Sequence, residues 1–306
     1  MIKLTALAST SFLLLFWASA LFSSGSLAED NALSAHALAN ATYSGLKTDD
    51  IEITLTDGEW QGEPYQEGGA VVPRVQLLGN LVARADLTGN GVEDAVVLVN
   101  FAPGGTGQLL HLALMTASDG KPEQTAAAFI GDRVRVRDLR VEGDTVALDL
   151  VQAGPRDPSC CPGEMATRLW QYRDGDLAEI DSTADTARVS IEAIEGQQWQ
   201  LSHWRYQEPV EESTTITLAY EEGKLVGNAG CNNYFASVSN GNMPGDIKVS
   251  APGATRMACR NPDHGAAEQR FLSLLPTVWQ FSWMAGQLVL SYGEGSDTGV
   301  LFFKPI

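Results

Sequence analysis

The sequence predicts a β-rich α+β protein of two domains, each a mainly antiparallel sheet, with one packed helix in the C-terminal domain. Three observations support this prediction. Short apolar stretches alternate with Asp-Gly and Glu-Gly turns, as in antiparallel sheets. Only one long stretch, residues 263–275, has a clear helical period. Hydrophobic residues make up 44% of the 306 residues, which is enough for two cores.

The first residues have the pattern of a signal peptide. Lys3 precedes the apolar residues 12–17, and Ser26-Leu27-Ala28 is a small-residue cleavage site. The apolar stretch is shorter than the roughly 20 residues that a membrane span needs, although a retained membrane helix is the alternative. No cysteine near Ala28 offers a lipoprotein anchor. We therefore expect cleavage of residues 1–28, a periplasmic or secreted protein, and no transmembrane segment after signal removal.

The acidic net charge of the chain argues against nucleic acid and anionic lipid as partners. The formal net charge is −18, and most of the excess acid precedes residue 185. Nucleic-acid binding needs a basic surface, and an acidic surface is repelled by anionic lipid. We therefore expect no nucleic-acid partner, and we interpret the acidic surface as a contribution to solubility.

Residues 29–185 predict an acidic β-rich domain of unknown function. A short helix is expected over residues 31–43. The continuous apolar run 95–99 predicts a buried strand. The alternation of Arg133, Arg135 and Arg137 places three guanidiniums on one strand face, where we expect internal ion pairs, with an anionic partner as the alternative. The other predicted strands are 51–55, 71–87, 109–115, 145–150, 166–172 and 177–180.

A polar stretch at residues 181–190 marks the predicted boundary to a second domain, residues 190–306. Its helix, residues 263–275, starts near Pro262 and stops at Pro276. The apolar stripe of this helix comprises Ala267, Phe271, Leu274 and Leu275. The predicted strands of this domain are 199–206, 214–220, 224–228, 279–284, 288–292 and 300–303.

The C-terminal sequence contains several spaced motifs. They are the opening Gln-Trp-Gln-Leu at 198–201, Gly-Asn-Ala-Gly-Cys-Asn-Asn-Tyr at 227–234, Thr-Arg-Met-Ala-Cys at 255–259, and Glu268 with Phe271. In this order they resemble the META domain of heat-shock protein HslJ and related envelope proteins. The matching positions that we interpret as structural are Trp199, Gly227, Gly230, Asn232, Tyr234, Thr255, Met257 and Glu268.

The resemblance implies a compact fold, an association with envelope stress, and no catalytic residues to assign. Residues 237–239 depart from the family, which often has Gly-x-Tyr there. Within the motifs, Cys231 and Cys259 are expected to form a disulfide, with two buried thiols as the alternative. The sequence alone leaves three connectivities open for the four cysteines. The N-terminal half resembles only uncharacterised exported bacterial domains, which implies no function.

One loop has the composition of a calcium site. Asp86, Thr88, Asn90 and Asp94 stand at the first, third, fifth and ninth positions of a glycine-containing stretch, and hard cations prefer oxygen ligands. However, Thr88 replaces a usual acidic ligand, and Val97 stands where an EF-hand has glutamate. The alternative is a plain turn between two strands.

Adjacent cysteines are the other unusual feature. Cys160 and Cys161 are expected to form a vicinal disulfide, to remain thiols, or to bind a soft metal. The four histidines have no metal-ligand spacing, and none is expected to pair with a neighbouring serine or cysteine as a catalytic triad needs. Calcium is thus the one cofactor that the sequence offers.

These observations predict an exported, non-catalytic envelope protein with a binding or stress-related structural role. Its expected partner is an envelope protein or a glycan. One alternative is a secreted hydrolase, which an open cleft with a convergent acid, base or nucleophile would reveal. The other is a calcium-stabilised structural protein, which a melting temperature that is insensitive to calcium would exclude.

Overall fold

The computed structural model describes residues 32–46, 51–158, 160–180, 186–294 and 297–306. All of them belong to one compact unit. The predicted signal peptide, residues 1–28, and the first half of the predicted linker, residues 181–185, lie outside the described residues. In the ranges that the structure describes, no helix has both the length and the apolar character needed to cross a membrane.

The described chain begins with a short helix and a small sheet. Helix α1 (Ala35–Ala39) starts where the Ser34 hydroxyl accepts the Ala37 N–H at 3.1 Å. It ends at Asn40, whose side chain donates to a carbonyl of the last turn. The predicted helix over residues 31–43 is therefore too long, because Thr42–Tyr43 forms strand β1, which pairs with β2 (Ile53–Thr54).

A five-stranded antiparallel sheet follows, with its strands in chain order. Its members are β3 (Glu59–Gln61), β4 (Arg74–Ala85), β5 (Asp94–Ala102), β6 (Leu109–Ser118) and β7 (Lys121–Asp132). Strand β5 is buried on both faces, since Val96 and Leu98 pack in one core while Val97 and Val99 pack in another. The prediction of a buried strand at 95–99 is therefore confirmed.

A second antiparallel sheet packs on one face of the first. It contains β8 (Arg135–Glu142), β9 (Thr145–Gln152), β10 (Glu164–Arg173), β11 (Asp176–Ile180) and β12 (Ala187–Arg188). Side chains from both sheets, including Leu98, Leu148 and Trp170, share one core. Helix α1 and strands β1 and β2 cover the opposite face of the first sheet.

The C-terminal region, residues 186–306, contributes β12 to the second sheet and otherwise forms one antiparallel sheet in the order β18-β17-β16-β15-β13-β22-β21-β20. Its edges meet at a bridge between Asp246 and Gln280. The strands are β13 (Trp199–Arg205), β14 (Glu208–Pro209), β15 (Thr217–Glu221), β16 (Lys224–Asn228), β17 (Asn233–Asn240), β18 (Ile247–Val249), β19 (Gly253–Ala254), β20 (Val278–Met284), β21 (Gln287–Glu294) and β22 (Asp297–Pro305). Two 3₁₀ helices occur at Ile191–Ile194 and Leu275–Thr277.

Helix α2 (Pro262–Leu274) packs against this sheet. The Asn261 side chain caps it by accepting the Asp263 N–H at 3.0 Å. Of the predicted apolar stripe, Phe271 and Leu275 are fully buried, and the other two members pack against the same core. One face of the helix is therefore buried against the C-terminal core, as its periodicity predicts.

The N-terminal region, residues 32–180, contacts the C-terminal region directly. The Gly286 N–H donates to the Val136 carbonyl at 3.1 Å, and Val151 of β9 belongs to the C-terminal core. The predicted β-rich α+β fold class, with antiparallel sheets and one main helix near the C-terminus, is confirmed. The boundary between residues 185 and 190 stays a prediction.

Candidate functional site

A cleft of about 690 Å³ lies where the two regions meet. Strand β4, the start of β8 and the loop with Cys160 line it on one side, while β20 and β21 line it on the other. Ligand sites are commonly concave spaces of about 300–1,000 Å³ at such junctions. A second concavity of about 760 Å³, near Tyr220 and Phe235, is formed by the C-terminal region alone.

Arg135 is the charged group at the junction. Its guanidinium donates to the Ser282 hydroxyl at 2.8 Å, and burial lowers the pKa of this guanidinium. An arginine nevertheless stays protonated at neutral pH. Among the described residues, no carboxylate forms an ion pair with Arg135. A partly buried positive charge therefore stands at the cleft without a counter-ion from the described part of the chain.

The other two arginines of the predicted stripe behave differently. Arg133 lies before β8 with a φ of +56° and forms an ion pair with Asp132 at 2.6 Å. Arg137 donates to the Ala193 carbonyl at 3.2 Å and stacks over the Trp283 ring at 4.8 Å. The prediction of internal ion pairs is thus correct only for Arg133, because the other two arginines extend across the junction.

Neutral polar groups make up much of the remaining lining. Gln76, Asn80, Asn100, Gln108, Gln280 and Gln287 contribute amides. Tyr206 is 67% exposed at the cleft, and its ring packs edge-on against Phe302 at 5.0 Å. Such amides both donate and accept hydrogen bonds, so the cleft offers a polar ligand many partners and one aromatic surface.

The loop that carries the adjacent cysteines is held by Asp157. Its carboxylate accepts the N–H groups of Gly154 and Gly163, each at 2.9 Å, and binds Arg188 at 2.7 Å. These hydrogen bonds, first that from Gly154 and then that from Arg188, lower the pKa of Asp157. Cys160 and Cys161 form a vicinal disulfide, and Cys160 lines the cleft.

Asn232 is the centre of the motif residues in the C-terminal region. It is 2% exposed. Its side-chain oxygen accepts from the Thr255 hydroxyl at 2.7 Å and the Met257 N–H at 2.8 Å. Its side-chain nitrogen donates to Glu268 at 3.0 Å, and its backbone N–H donates to the same carboxylate. Asn232 therefore ties three separate segments together, which is a structural arrangement.

Two glycines of the same motif serve close packing. A Cβ on Gly227 would lie 2.1 Å from the backbone oxygen of Thr217, and Gly230 has a φ of +117°, which L side chains rarely adopt.

Tyr234 donates to the Thr217 carbonyl at 3.1 Å and packs edge-on against Phe271. Burial raises the pKa of Tyr234.

Cys231 and Cys259 form the second disulfide, with Cα atoms 5.7 Å apart. Both sulfur atoms lie near the Glu268 carboxylate, but they are bonded to each other and so offer no thiolate to a metal. The disulfide joins the loop before β17 to the loop before α2. Trp199 is buried in the C-terminal core.

The loop between β4 and β5 contains the four predicted calcium ligands. Asp94 is fully buried, and its Oδ2 accepts the N–H groups of Leu87 and Thr88 at 2.9 Å. Asp86 accepts the N–H groups of Asn90 and Gly91 at 3.0 and 2.8 Å. These hydrogen bonds are those of a turn between two strands, which is the alternative to a calcium site. The Thr88 hydroxyl and Oδ1 of Asp94 have no hydrogen-bond partner among the described residues.

Ser202 and His203 correct one expectation. The Nδ1 atom of His203 lies 3.1 Å from the Ser202 hydroxyl, so a histidine does contact a neighbouring serine. That hydroxyl also donates to the Phe302 carbonyl at 3.1 Å, which directs its proton away from the imidazole. In the described part of the chain, no carboxylate hydrogen-bonds to His203.

Comparison with known proteins supports the C-terminal resemblance. Residues 192–304 match the family model of the META domain, so the predicted META domain is confirmed for this region. The match covers little more than a third of the chain, and the N-terminal region lies outside it. No curated protein matches the chain.

Two solved structures, both determined by NMR, are also similar. One is described only as a protein; it is 21% identical, with a TM-score of 0.31, and the match covers 38% of this chain and 94% of that chain. The other is a protein from Burkholderia xenovorans; it is 23% identical, with a TM-score of 0.31, and the match covers 42% of this chain and 97% of that one.

Sequence reasoning did not anticipate the cleft. Ser282, Tyr206 and Gln280 come from segments that were assigned only as strands, and Arg135 lies 147 residues from Ser282. No local pattern links such positions. The available signal was the arginine stripe 133–137 in an acidic domain.

Proposed function

We propose that the protein is an exported, non-catalytic binding protein of the cell envelope, and that the cleft between its two regions binds an acidic glycan. One observation supports this proposal most strongly: the cleft of about 690 Å³ contains the charged side chain of Arg135 without a carboxylate partner among the described residues. A buried charge is costly unless it is paired, so an anionic ligand would relieve this cost.

The rest of the lining favours a sugar over a simple anion. Sugar hydroxyls both donate and accept, and the side-chain amides of Asn80, Gln280 and Gln287 match both roles. The exposed ring of Tyr206 offers an apolar face to the C–H groups of a sugar ring. A carboxylate or phosphate on that sugar would pair with the planar guanidinium of Arg135.

The cysteines support the proposed location. All four form disulfides, and disulfides persist in oxidising compartments such as the periplasm or the extracellular space. The matched META domain, for which the family resemblance implies a place in the envelope and a link to stress, agrees with this location.

A glycan array tests the proposal. The purified, labelled protein is applied to acidic and neutral oligosaccharides of bacterial envelopes, beside the variants Arg135→Gln and Arg140→Gln. Arg140 is the matched control, because it lies on the same strand and pairs with Asp149 at 2.7 Å. Circular dichroism and melting curves verify that both variants fold.

We expect binding to acidic oligosaccharides, a loss of at least about tenfold with Arg135→Gln, and little change with Arg140→Gln. A tenfold loss corresponds to about 1.4 kcal/mol. If no glycan binds, or if Arg135→Gln binds as well as the wild type, the proposed role of the cleft is wrong.

A further inference from the structure

We propose that the loop between β4 and β5 binds a calcium ion through side-chain oxygens of Asp86, Thr88, Asn90 and Asp94. This site is separate from the glycan cleft. The strongest observation is that Asp94 is fully buried, yet its Oδ1 atom has no hydrogen-bond partner among the described residues. Buried carboxylate oxygens are nearly always paired, so this oxygen is available to a further partner such as a cation.

Thr88 supplies a second open oxygen in the same loop. Its hydroxyl is also buried and without a partner in the described part of the chain. Its backbone N–H lies 2.9 Å from Oδ2 of Asp94, which holds the two residues in direct contact. Because Oδ1 and Oδ2 share one carbon, the open carboxylate oxygen lies beside the loop that carries the open hydroxyl.

Asp86 and Asn90 complete the ligand set from the exposed side of the loop. Each Asp86 oxygen accepts one N–H, and the side-chain oxygen of Asn90 accepts the Val92 N–H at 2.7 Å. A carboxylate or amide oxygen that accepts one hydrogen bond retains a second lone pair. These bonds therefore fix the directions of the oxygens and leave them free to bind a cation.

The charges around the loop favour a divalent cation. Asp86 and Asp94 are acidic, and Glu93 adds a third carboxylate. The Arg84 guanidinium pairs with Glu93 at 3.7 Å and donates to the Leu33 carbonyl at 2.6 Å. Calcium accepts irregular sets of charged and neutral oxygens, whereas magnesium demands near-octahedral geometry and keeps more water.

The site shares no residue with the lining of the cleft, so the two proposals fail separately. Asp94 begins β5, whereas Asn100, near the other end of β5, lines the cleft. Six strand residues span about 20 Å. A failure to bind calcium would therefore leave the glycan proposal intact. A failure to bind a glycan would likewise leave the calcium proposal intact.

Calcium titration of the purified, chelator-treated protein tests this inference by calorimetry and by thermal unfolding. The variants are Thr88→Val, which removes only the hydroxyl, and Asp94→Asn, which retains an acceptor for the Leu87 and Thr88 N–H groups. The control is Asp174→Asn, in an exposed turn with a φ of +52°. Thr88→Val keeps the test decisive if Asp94→Asn does not fold.

We expect one calcium ion to bind with a Kd of about 10⁻⁴ M, and millimolar calcium to raise Tm by about 5 °C. Thr88→Val and Asp94→Asn should weaken binding at least about tenfold, and Asp174→Asn should leave it unchanged. Absence of binding heat and of any Tm shift in the wild type would overturn the proposal. So would equal binding of magnesium, or variants that bind calcium like the wild type.

Discussion

Arg135 donates a 2.8 Å hydrogen bond to Ser282, and this bond orients a guanidinium that has no carboxylate partner among the described residues. The bond also crosses from the N-terminal region to the META domain. A ligand held by this guanidinium would therefore contact both regions, and the geometry of the cleft would depend on how they are joined.

The first prediction concerns Ser282. Ser282→Ala removes the acceptor that orients Arg135 but keeps its charge, so glycan affinity should fall about three- to tenfold. Stability should change by less than about 1.5 kcal/mol, which is the net contribution of one hydrogen bond. Calorimetric titration with the best glycan measures the effect. Ser273→Ala is the control, since Ser273 is an exposed residue of α2 that bonds only within its helix; an equal loss in both variants would contradict the role of Ser282.

The second prediction concerns Asn232. Asn232→Ala removes the acceptor of the Thr255 hydroxyl and the Met257 N–H and the side-chain donor to Glu268, while the backbone N–H still donates to that carboxylate. Each buried group left without a partner costs about 1–3 kcal/mol. The free energy of unfolding should fall by about 3 kcal/mol in urea denaturation. Asn233→Ala, at an exposed neighbour, should cost well under half as much. Similar losses for the two variants would show that Asn232 is not the centre of this region.

The sequence predicts some of these features and not others. Helix α2 and strand β5 were predictable because their periodicity is local. The importance of Asn232 followed only from the family resemblance, and its link to Glu268 spans 36 positions. The contact of Arg135 with Ser282 depends on how two sheets pack, which no single segment encodes. Strand β7 was also missed, since its small residues, Ala126 to Ala128, have no strong strand pattern.

The third prediction compares the two disulfides. Cys231–Cys259 closes a loop over a separation of 28 positions, and constraint of the unfolded chain should make it stabilise the fold by about 2–4 kcal/mol. Cys160–Cys161 joins adjacent residues and closes almost no chain. The double Cys→Ser variant at 231 and 259 should therefore lower Tm, while the double variant at 160 and 161 should lower it much less. Differential scanning calorimetry measures both Tm values. A larger loss of Tm in the variant at 160 and 161 would refute this explanation.

The fourth prediction concerns pH and Asp157. Hydrogen bonds from Gly154 and the ion pair with Arg188 depress the pKa of Asp157 in the folded state. Stability from this group is fully present above the unfolded pKa of about 3.9 and is lost as pH falls through the lower folded value. In Asp157→Asn, the free energy of unfolding, measured by urea denaturation, should therefore decrease less steeply as the pH falls through the acid range. A decrease in Asp157→Asn that matches that of the wild type would contradict the assigned hydrogen bonds.

The most direct measurement of the central claim is hydrogen–deuterium exchange with and without the acidic glycan that binds best. Binding in the cleft predicts joint protection of residues 133–137 in the N-terminal region and 280–287 in the META domain. The Arg135→Gln variant at the same glycan concentration should lose both effects. Protection confined to one region, or centred on the separate concavity near Tyr220 and Phe235, would contradict the claim that the cleft is the binding site.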